Sequence, residues 1–166
     1  MYRRILVPLD GSELAERALK HAERIIGENP AAMLILVRVT EPLLSAAYYL
    51  SGGADVWLGA EEKAAKDAAD YLDGVADRLK KTGIARIKTV VLEGQPDDQI
   101  LDYLEHRRVD LVIMSTHGQG GITRWLAGSV AERIMRHSSV PVLTVPPSGL
   151  RRGRRVAPRV STTAKS

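Results

Sequence analysis

Glycine and hydroxyl residues cluster between positions 115 and 129 of this chain. Ser-Thr-His-Gly-Gln-Gly-Gly occupies 115–121, and Gly128-Ser129 follows after a short apolar stretch. Glycines let backbone N–H groups turn toward an anion, and a helix start adds unpaired N–H donors and a positive dipole end. The pattern predicts a phosphate-binding loop. A tight turn over a packed helix is the alternative that local sequence leaves open.

The elements around this loop follow an alternating pattern. Short apolar runs typical of buried strands alternate with segments of helical spacing. The predicted strands are Arg4–Leu9, Ala32–Val39, Ile87–Leu92, Leu111–Met114 and Val140–Val145. The predicted helices cover 14–26, 61–81, a segment opened by Pro96, and 129–137, while 40–59 lacks a clear period. This order predicts an α/β fold, an open five-stranded parallel sheet with helices on both faces, Rossmann-like in type.

Ligands of such sheets bind beyond the carboxyl ends of the strands, where the strand order reverses. If the first and fourth strands are neighbours, Asp10 and the glycine loop face the same crevice. The chain lacks both G-x-x-x-x-G-K-[ST] and a G-x-G-x-x-G after the first strand. A Walker-type loop and a dinucleotide fingerprint are therefore excluded.

Two segments resemble the universal stress protein family over about residues 2–146. Pro-Leu-Asp-Gly-Ser at 8–12 is one, and Met-Ser-Thr-His-Gly at 114–118 followed by Gly128-Ser129 is the other. ATP-binding members carry G-x2-G-x9-G-[ST], and Gly118, Gly128 and Ser129 match its last three fixed positions. Ser115 stands where the motif has its first glycine. Its Cβ and hydroxyl either crowd a phosphate or donate to one.

The resemblance implies an adenine nucleotide alpha hydrolase-like fold and a set of nucleotide contacts. Near the nucleoside it implies Pro8, Leu9 and Asp10, with the Val39 backbone at the adenine edge. Along the phosphates it implies Ser115, Gly118, Gln119, Gly121, Gly128, Ser129 and Val130. ATP, with Mg²⁺ between its phosphates, is the implied ligand. Asp10 as a turn carboxylate and Ser129 as a simple helix cap are the competing interpretations.

Composition bounds the remaining function classes. The chain has no cysteine, which excludes disulfides and thiolate chemistry, and no apolar run reaches the roughly 18 residues that span a bilayer. A cytoplasmic location is the expectation. The whole chain has 24 basic and 20 acidic residues. Six of the basic residues and none of the acidic ones lie in 148–166, so residues 1–147 contain 18 basic and 20 acidic residues. We expect one domain over 1–147 and a disordered basic tail over 148–166, for which nucleic-acid binding is not favoured.

The function expected from this resemblance is a cytoplasmic stress-response protein that binds ATP as a nucleotide-responsive regulator. No residue stands out as a water-activating base, so slow hydrolysis is the most that we expect, and no catalytic residue is assigned. The family commonly dimerises through its last strand, which predicts a homodimer through Val140–Val145. A dimeric interaction module of the same fold that binds no nucleotide is the alternative.

Overall fold

The computed structural model describes residues 1–42, 54–116 and 128–146. Within these ranges five strands alternate with four helices. The strands are β1 (Arg4–Pro8), β2 (Met33–Thr40), β3 (Ile87–Glu93), β4 (Leu111–Ser115) and β5 (Val142–Val145). The helices are α1 (Glu13–Gly27), α2 (Ala54–Lys81), α3 (Pro96–His106) and α4 (Ser129–His137). The predicted element order is confirmed.

All strand pairings are parallel, and the strand order is β3-β2-β1-β4-β5. β1 is central and pairs with β2 on one side and β4 on the other, so the adjacency that the sequence left as an assumption is confirmed. After β1, the chain adds β2 and β3 on one side of it and then β4 and β5 on the other side. The order therefore reverses between β1 and β4, and this is the switch point of the sheet.

Two apolar layers, one on each face of the sheet, form the core. The first layer joins α1 and α2 to the sheet, with Ile5, Val7 and Leu36 fully buried on the strands. The second joins α3 and α4 through Leu6 and Ile134. Alternation along β1 explains the division, because successive side chains of a strand point to opposite faces. The predicted fold class, with helices on both faces, is confirmed.

The starts of α1 and α3 show how local sequence fixes the helices. Ser12 is the N-cap of α1, and its Oγ accepts a hydrogen bond from the Ala15 N–H at 3.1 Å. Pro96 begins α3, where its missing N–H and fixed φ cost nothing. Before it, Gly94 adopts φ +133°, a conformation that side chains rarely allow.

The start of α2 corrects the sequence-based prediction. An irregular segment was expected through Gly59, but α2 begins at Ala54. Gly59 is exposed, and among the described residues no atom of another part of the chain lies within 4 Å of the place a Cβ would take. The intrinsic cost of glycine in a helix, about 1 kcal/mol, is outweighed here by a long helix that buries Leu72 and Val75 against the sheet. The part of the expected loop at 43–53 lies outside the described residues.

None of the helices within the described ranges is long and apolar enough to cross a membrane.

Candidate functional site

The strand register brings two of the expected site positions, Asp10 and Val39, into one row with Thr116 at the carboxyl edge of the sheet. Pro8 of β1 is level with Val37 of β2, so Asp10 continues level with Val39. Leu6 of β1 is level with Val112 of β4, so Asp10 also continues level with Thr116. Neighbouring strands lie about 4.8 Å apart. The ends of β2, β1 and β4 therefore meet at the switch point, where open sheets of this kind bind ligands, and we refer to this edge as the crevice.

The turn between β1 and α1 holds Asp10 in place through backbone contacts. The Leu9 N–H donates to the Val37 carbonyl at 2.8 Å, and Leu9 is buried. Asp10 Oδ1 accepts from the Ser12 N–H at 2.9 Å. Gly11 between them has φ +88°, the left-handed region that glycine adopts without strain. The turn-carboxylate interpretation of Asp10 is thus observed. A carboxylate has further acceptor sites, so a ligand role for Asp10 stays a prediction.

Thr116 connects the end of β4 to the start of α4. Its N–H donates to the Val145 carbonyl at 3.1 Å, and its carbonyl accepts from the Gly128 N–H at 2.7 Å. Gly128 is the N-cap residue of α4, and without a side chain it supplies no cap to the first helical turn. The N–H groups of that turn need acceptors other than a capping side chain. An anion is one such acceptor, favoured by the helix dipole.

Gly128 has an ordinary conformation, with φ −55° and ψ 150°. Among the described residues, a Cβ built on it would meet the Thr116 carbonyl oxygen at 3.6 Å, which is normal van der Waals contact. The backbone conformation and these contacts do not require glycine here, in contrast to Gly11. A helix start without a capping side chain fits close approach of a ligand to the backbone.

The other expected site residues divide by exposure. Ser129 is exposed at the first position of α4, whereas Val130 is half-buried and packs on the second apolar layer. Pro8 and Val39 are half-buried at the ends of β1 and β2. Three expected phosphate contacts lie outside the described residues: Gly118, Gln119 and Gly121.

Ser115 is the last residue of β4 and is buried, with 8% of its surface exposed. Leu111 and Ile113 belong to the layer beneath α1 and α2, whereas Val112 and Met114 belong to the layer beneath α4. Continuing this alternation, the Ser115 side chain lies on the α1 face of the sheet. It is therefore on the opposite face from the start of α4.

Sequence reasoning missed a polar network beside the β1–α1 turn. The Arg38 guanidinium lies 4.9 Å from the centre of the Tyr71 ring, and its Nη1 is 3.4 Å from the place a Gly11 Cβ would take. The Tyr71 hydroxyl donates to Glu16 at 3.0 Å, and Arg78 donates to the other oxygen of that carboxylate at 2.6 Å. The available signal was an arginine inside an otherwise apolar strand.

This network has a clear electrostatic consequence for Tyr71. Burial of the ring raises the pKa of Tyr71, and its hydrogen bond to the Glu16 carboxylate raises the pKa further. The phenol therefore stays neutral and donates, which ties α2 to the first turn of α1. Within the residues that the structure describes, no group of three or more acidic or histidine side chains is placed to hold a metal ion.

The strand order and the crevice at the ends of β1 and β4 define an open α/β protein of the kind that binds ligands at a switch point. The model of the Universal stress protein family matches residues 1–146. The chain belongs to that family, and the resemblance drawn from its motifs is confirmed.

Known relatives agree with this assignment over most of their length. Universal stress protein MJ0531 of Methanocaldococcus jannaschii is 32% identical over 146 residues, which cover 87% of this chain and 82% of the relative. The solved structure of MJ0577 from the same organism has a TM-score of 0.75 at 29% identity, over 89% of this chain and 97% of that one. A universal stress protein in complex with cAMP has a TM-score of 0.64 at 28% identity, over 87% of this chain and 97% of that one.

Proposed function

We propose that this protein binds ATP at the carboxyl edge of its sheet and acts as a nucleotide-responsive stress regulator in the cytoplasm. The observation that carries the proposal is the start of α4 at Gly128, which has no side-chain cap and is held against the end of β4 by Thr116. The structural relative in complex with cAMP supports an adenine nucleotide as the ligand class. The ligand would be anchored by backbone donors, and Mg²⁺ would bind between its phosphates.

Each part of the nucleotide has a proposed contact in the row at the carboxyl edge. The Val39 backbone and Asp10 would meet the nucleoside, because they lie level with each other at the ends of β2 and β1. The N–H groups of Ser129 and Val130, together with the Ser129 hydroxyl, would meet phosphate oxygens, since both residues begin α4. Such charge-assisted bonds are stronger than neutral ones. We assign no catalytic base, so any hydrolysis would be slow.

Calorimetric titration with ATP, ADP, AMP and cAMP in the presence of Mg²⁺ tests the proposal. Ser129→Ala removes a hydroxyl at the phosphates, and loss of one charge-assisted bond of about 1.5–3 kcal/mol weakens binding roughly 10- to 100-fold. Ser139→Ala is the matched control, because Ser139 is exposed just beyond the other end of α4. Absence of heat with every nucleotide would leave the alternative, a dimeric interaction module that binds none.

We also propose that the protein is a homodimer through β5. This strand lies at the edge of the sheet, and its Leu143 is 37% exposed. An uncovered edge strand is open to pairing with a second chain. Light scattering after size exclusion tests this: Leu143→Lys should yield monomer, whereas Met135→Lys, on the exposed face of α4, should not. A monomeric parent protein, or a Leu143→Lys dimer, would contradict it.

A further inference from the structure

The amino-terminal edge of the sheet, opposite the crevice, carries a groove of about 560 Å³, and none of the described residues that line it is acidic. Three arginines line it: Arg3 and Arg4 at the start of β1, and Arg86 just before β3. The remaining lining residues are Met1, Asn29, Ala31 and Met33. We refer to this surface as the arginine groove. Its volume falls in the range of ordinary ligand sites.

Two of the three arginines are anchored by backbone carbonyls rather than by carboxylates. Arg86 Nη1 donates to the Ala31 carbonyl at 2.9 Å, and Arg4 Nη1 lies 3.4 Å from the Arg108 carbonyl. None of the three has a carboxylate within 4.0 Å of its side chain among the described residues. By contrast, Arg78, Arg133 and Arg136 each form ion pairs with acidic residues. Neutral anchoring leaves the charge of the groove available to an anion.

The nearest acidic residues offset only part of this charge. Asp110 Oδ2 accepts the backbone N–H groups of Arg3 and Arg4, both at 2.8 Å, so one negative charge stands against three arginines. Glu28 is exposed at the end of α1, beside Asn29. Helix dipoles explain basic residues in the last turns of helices that end at this edge. They do not explain Arg3, Arg4 and Arg86, which precede strands.

The register arranges the charges as a row. Arg4 is level with Met33, and continuing the pairings places Met33 level with Arg86 and Arg4 level with Asp110. Arg86, Met33 and Arg4 thus cross three strand ends, or about 10 Å at about 4.8 Å per strand, and the next position along the row is Asp110. Arg107 and Arg108, both exposed, extend the positive surface next to β4. A row of this length suits successive phosphates of an extended chain better than one phosphate group.

Apolar side chains line the same groove. Met1, Ala31 and Met33 are among its lining residues, and Met1 is 91% exposed. Tyr2, between the lining residues Met1 and Arg3 in the sequence, is 39% exposed. The Asn29 amide donates to the Tyr2 carbonyl at 2.9 Å, which fixes the backbone next to that ring. Aromatic and apolar side chains beside a positive groove are the means by which proteins bind single-stranded nucleic acid without sequence preference.

We propose that the arginine groove binds single-stranded nucleic acid through its phosphates, with Tyr2 against a base. The site lies at the opposite edge of the sheet from the proposed nucleotide crevice, so the two proposals succeed or fail independently. The basic segment at 148–166 is not needed for it. Binding should be weak and strongly dependent on salt, because phosphate contacts release counterions.

Fluorescence anisotropy with a labelled oligothymidylate and the full chain, from 50 to 200 mM salt, tests the proposal. The triple variant Arg3→Gln, Arg4→Gln, Arg86→Gln should bind at least about tenfold more weakly at 50 mM salt. Its log–log salt slope should fall by about 2, from roughly 0.7 for each of three phosphate contacts. The triple arginine-to-lysine variant should keep most of the slope, which separates charge from folding.

Two controls remove the same charge elsewhere in the full chain. One changes three exposed lysines, Lys20, Lys66 and Lys88, to Gln, and the other changes Arg151, Arg152 and Arg154 of the basic segment to Gln. Both should bind within about twofold of the parent. Equal loss in a control, or no binding by the parent at 50 mM salt, overturns the proposal. Inorganic polyphosphate competing equally per phosphate, with no effect of Tyr2→Ala, would overturn nucleic acid as the ligand.

Discussion

Two glycines at the carboxyl edge should differ in what alanine substitution costs them. Gly128→Ala should lose nucleotide affinity with little change in stability, whereas Gly11→Ala should mainly lose stability. Gly128 has φ −55°, and its new Cβ would lie 3.6 Å from the Thr116 carbonyl oxygen, so the folded chain accommodates it. Alanine restricts the unfolded chain more than glycine does, which stabilises the folded protein by about 0.4–1 kcal/mol. Alanine is also a poorer N-cap residue than glycine, which costs a similar amount. The free energy of unfolding should therefore change by less than about 0.5 kcal/mol.

Nucleotide affinity should nevertheless fall in Gly128→Ala. On the proposed binding mode the added methyl group stands at the first turn of α4, where phosphate oxygens approach the backbone. Loss of one charge-assisted hydrogen bond is worth about 1.5–3 kcal/mol. That corresponds to a dissociation constant for ATP roughly 10- to 100-fold higher.

Gly11→Ala is the matched comparison, because it adds the same methyl group at the other side of the crevice. Gly11 has φ +88°, so alanine there costs about 1–2 kcal/mol in backbone strain. Its Cβ would also meet Arg38 Nη1 at 3.4 Å. We expect a clear loss of stability in this variant and, once folded, a smaller loss of affinity.

Urea denaturation and ATP calorimetry on the same preparations distinguish the two glycines. Parent-like ATP affinity in Gly128→Ala would refute the reasoning that α4 binds the phosphates. A stability loss in Gly128→Ala as large as that of Gly11→Ala would show that the fold, rather than a ligand, requires glycine at 128.

Two further predictions concern how the free energy of unfolding depends on pH. Burial alone would raise the pKa of Asp97, but hydrogen bonds from Arg133 and from backbone N–H groups lower it below its usual value. The contribution of the Asp97 carboxylate to the free energy of unfolding is thus complete above its unfolded-state pKa of about 3.9. It is lost as the pH falls through the lower pKa of the folded state. On acidification, the free energy of unfolding of Asp97→Asn should therefore fall by up to about 1 kcal/mol less than that of the parent. An identical acid profile would contradict this. Because the pKa of Tyr71 is raised, stability should fall as pH rises above about 10, and Tyr71→Phe should reduce that fall in alkaline urea denaturation.

The order of the elements was predictable because each one has a strong local signal. Ser12 at a helix start, Pro96 at the first turn of α3 and short apolar runs for strands are all read from neighbouring residues. The start of α2 was not predictable in this way. Gly59 is a local signal against a helix, and only the packing of residues such as Leu72, a long way along the chain, overrides it.

The motifs nominated members for the candidate site, Asp10 and Gly128 among them, but could not give their arrangement. Strand order is a long-range property, and only the pairing of β1 with both β2 and β4 brings Asp10 level with Val39 and Thr116. The role of Thr116 rests on two backbone hydrogen bonds, to which side-chain type gives no clue. Arg38 likewise gains its place from α2, an element that is distant in sequence.

Ser115 occupies the position at which the family motif has its first glycine. Its place in β4 bears on whether its side chain would obstruct a phosphate. A serine crowds a phosphate only if its side chain points to the phosphate, and alternation along β4 directs the Ser115 side chain to the α1 face. The start of α4 lies over the other face, where Gly128 donates its N–H to Thr116. The substitution is thus compatible with phosphate binding at α4, and the presence of glycine matters most at position 128, where the fold makes no demand for it.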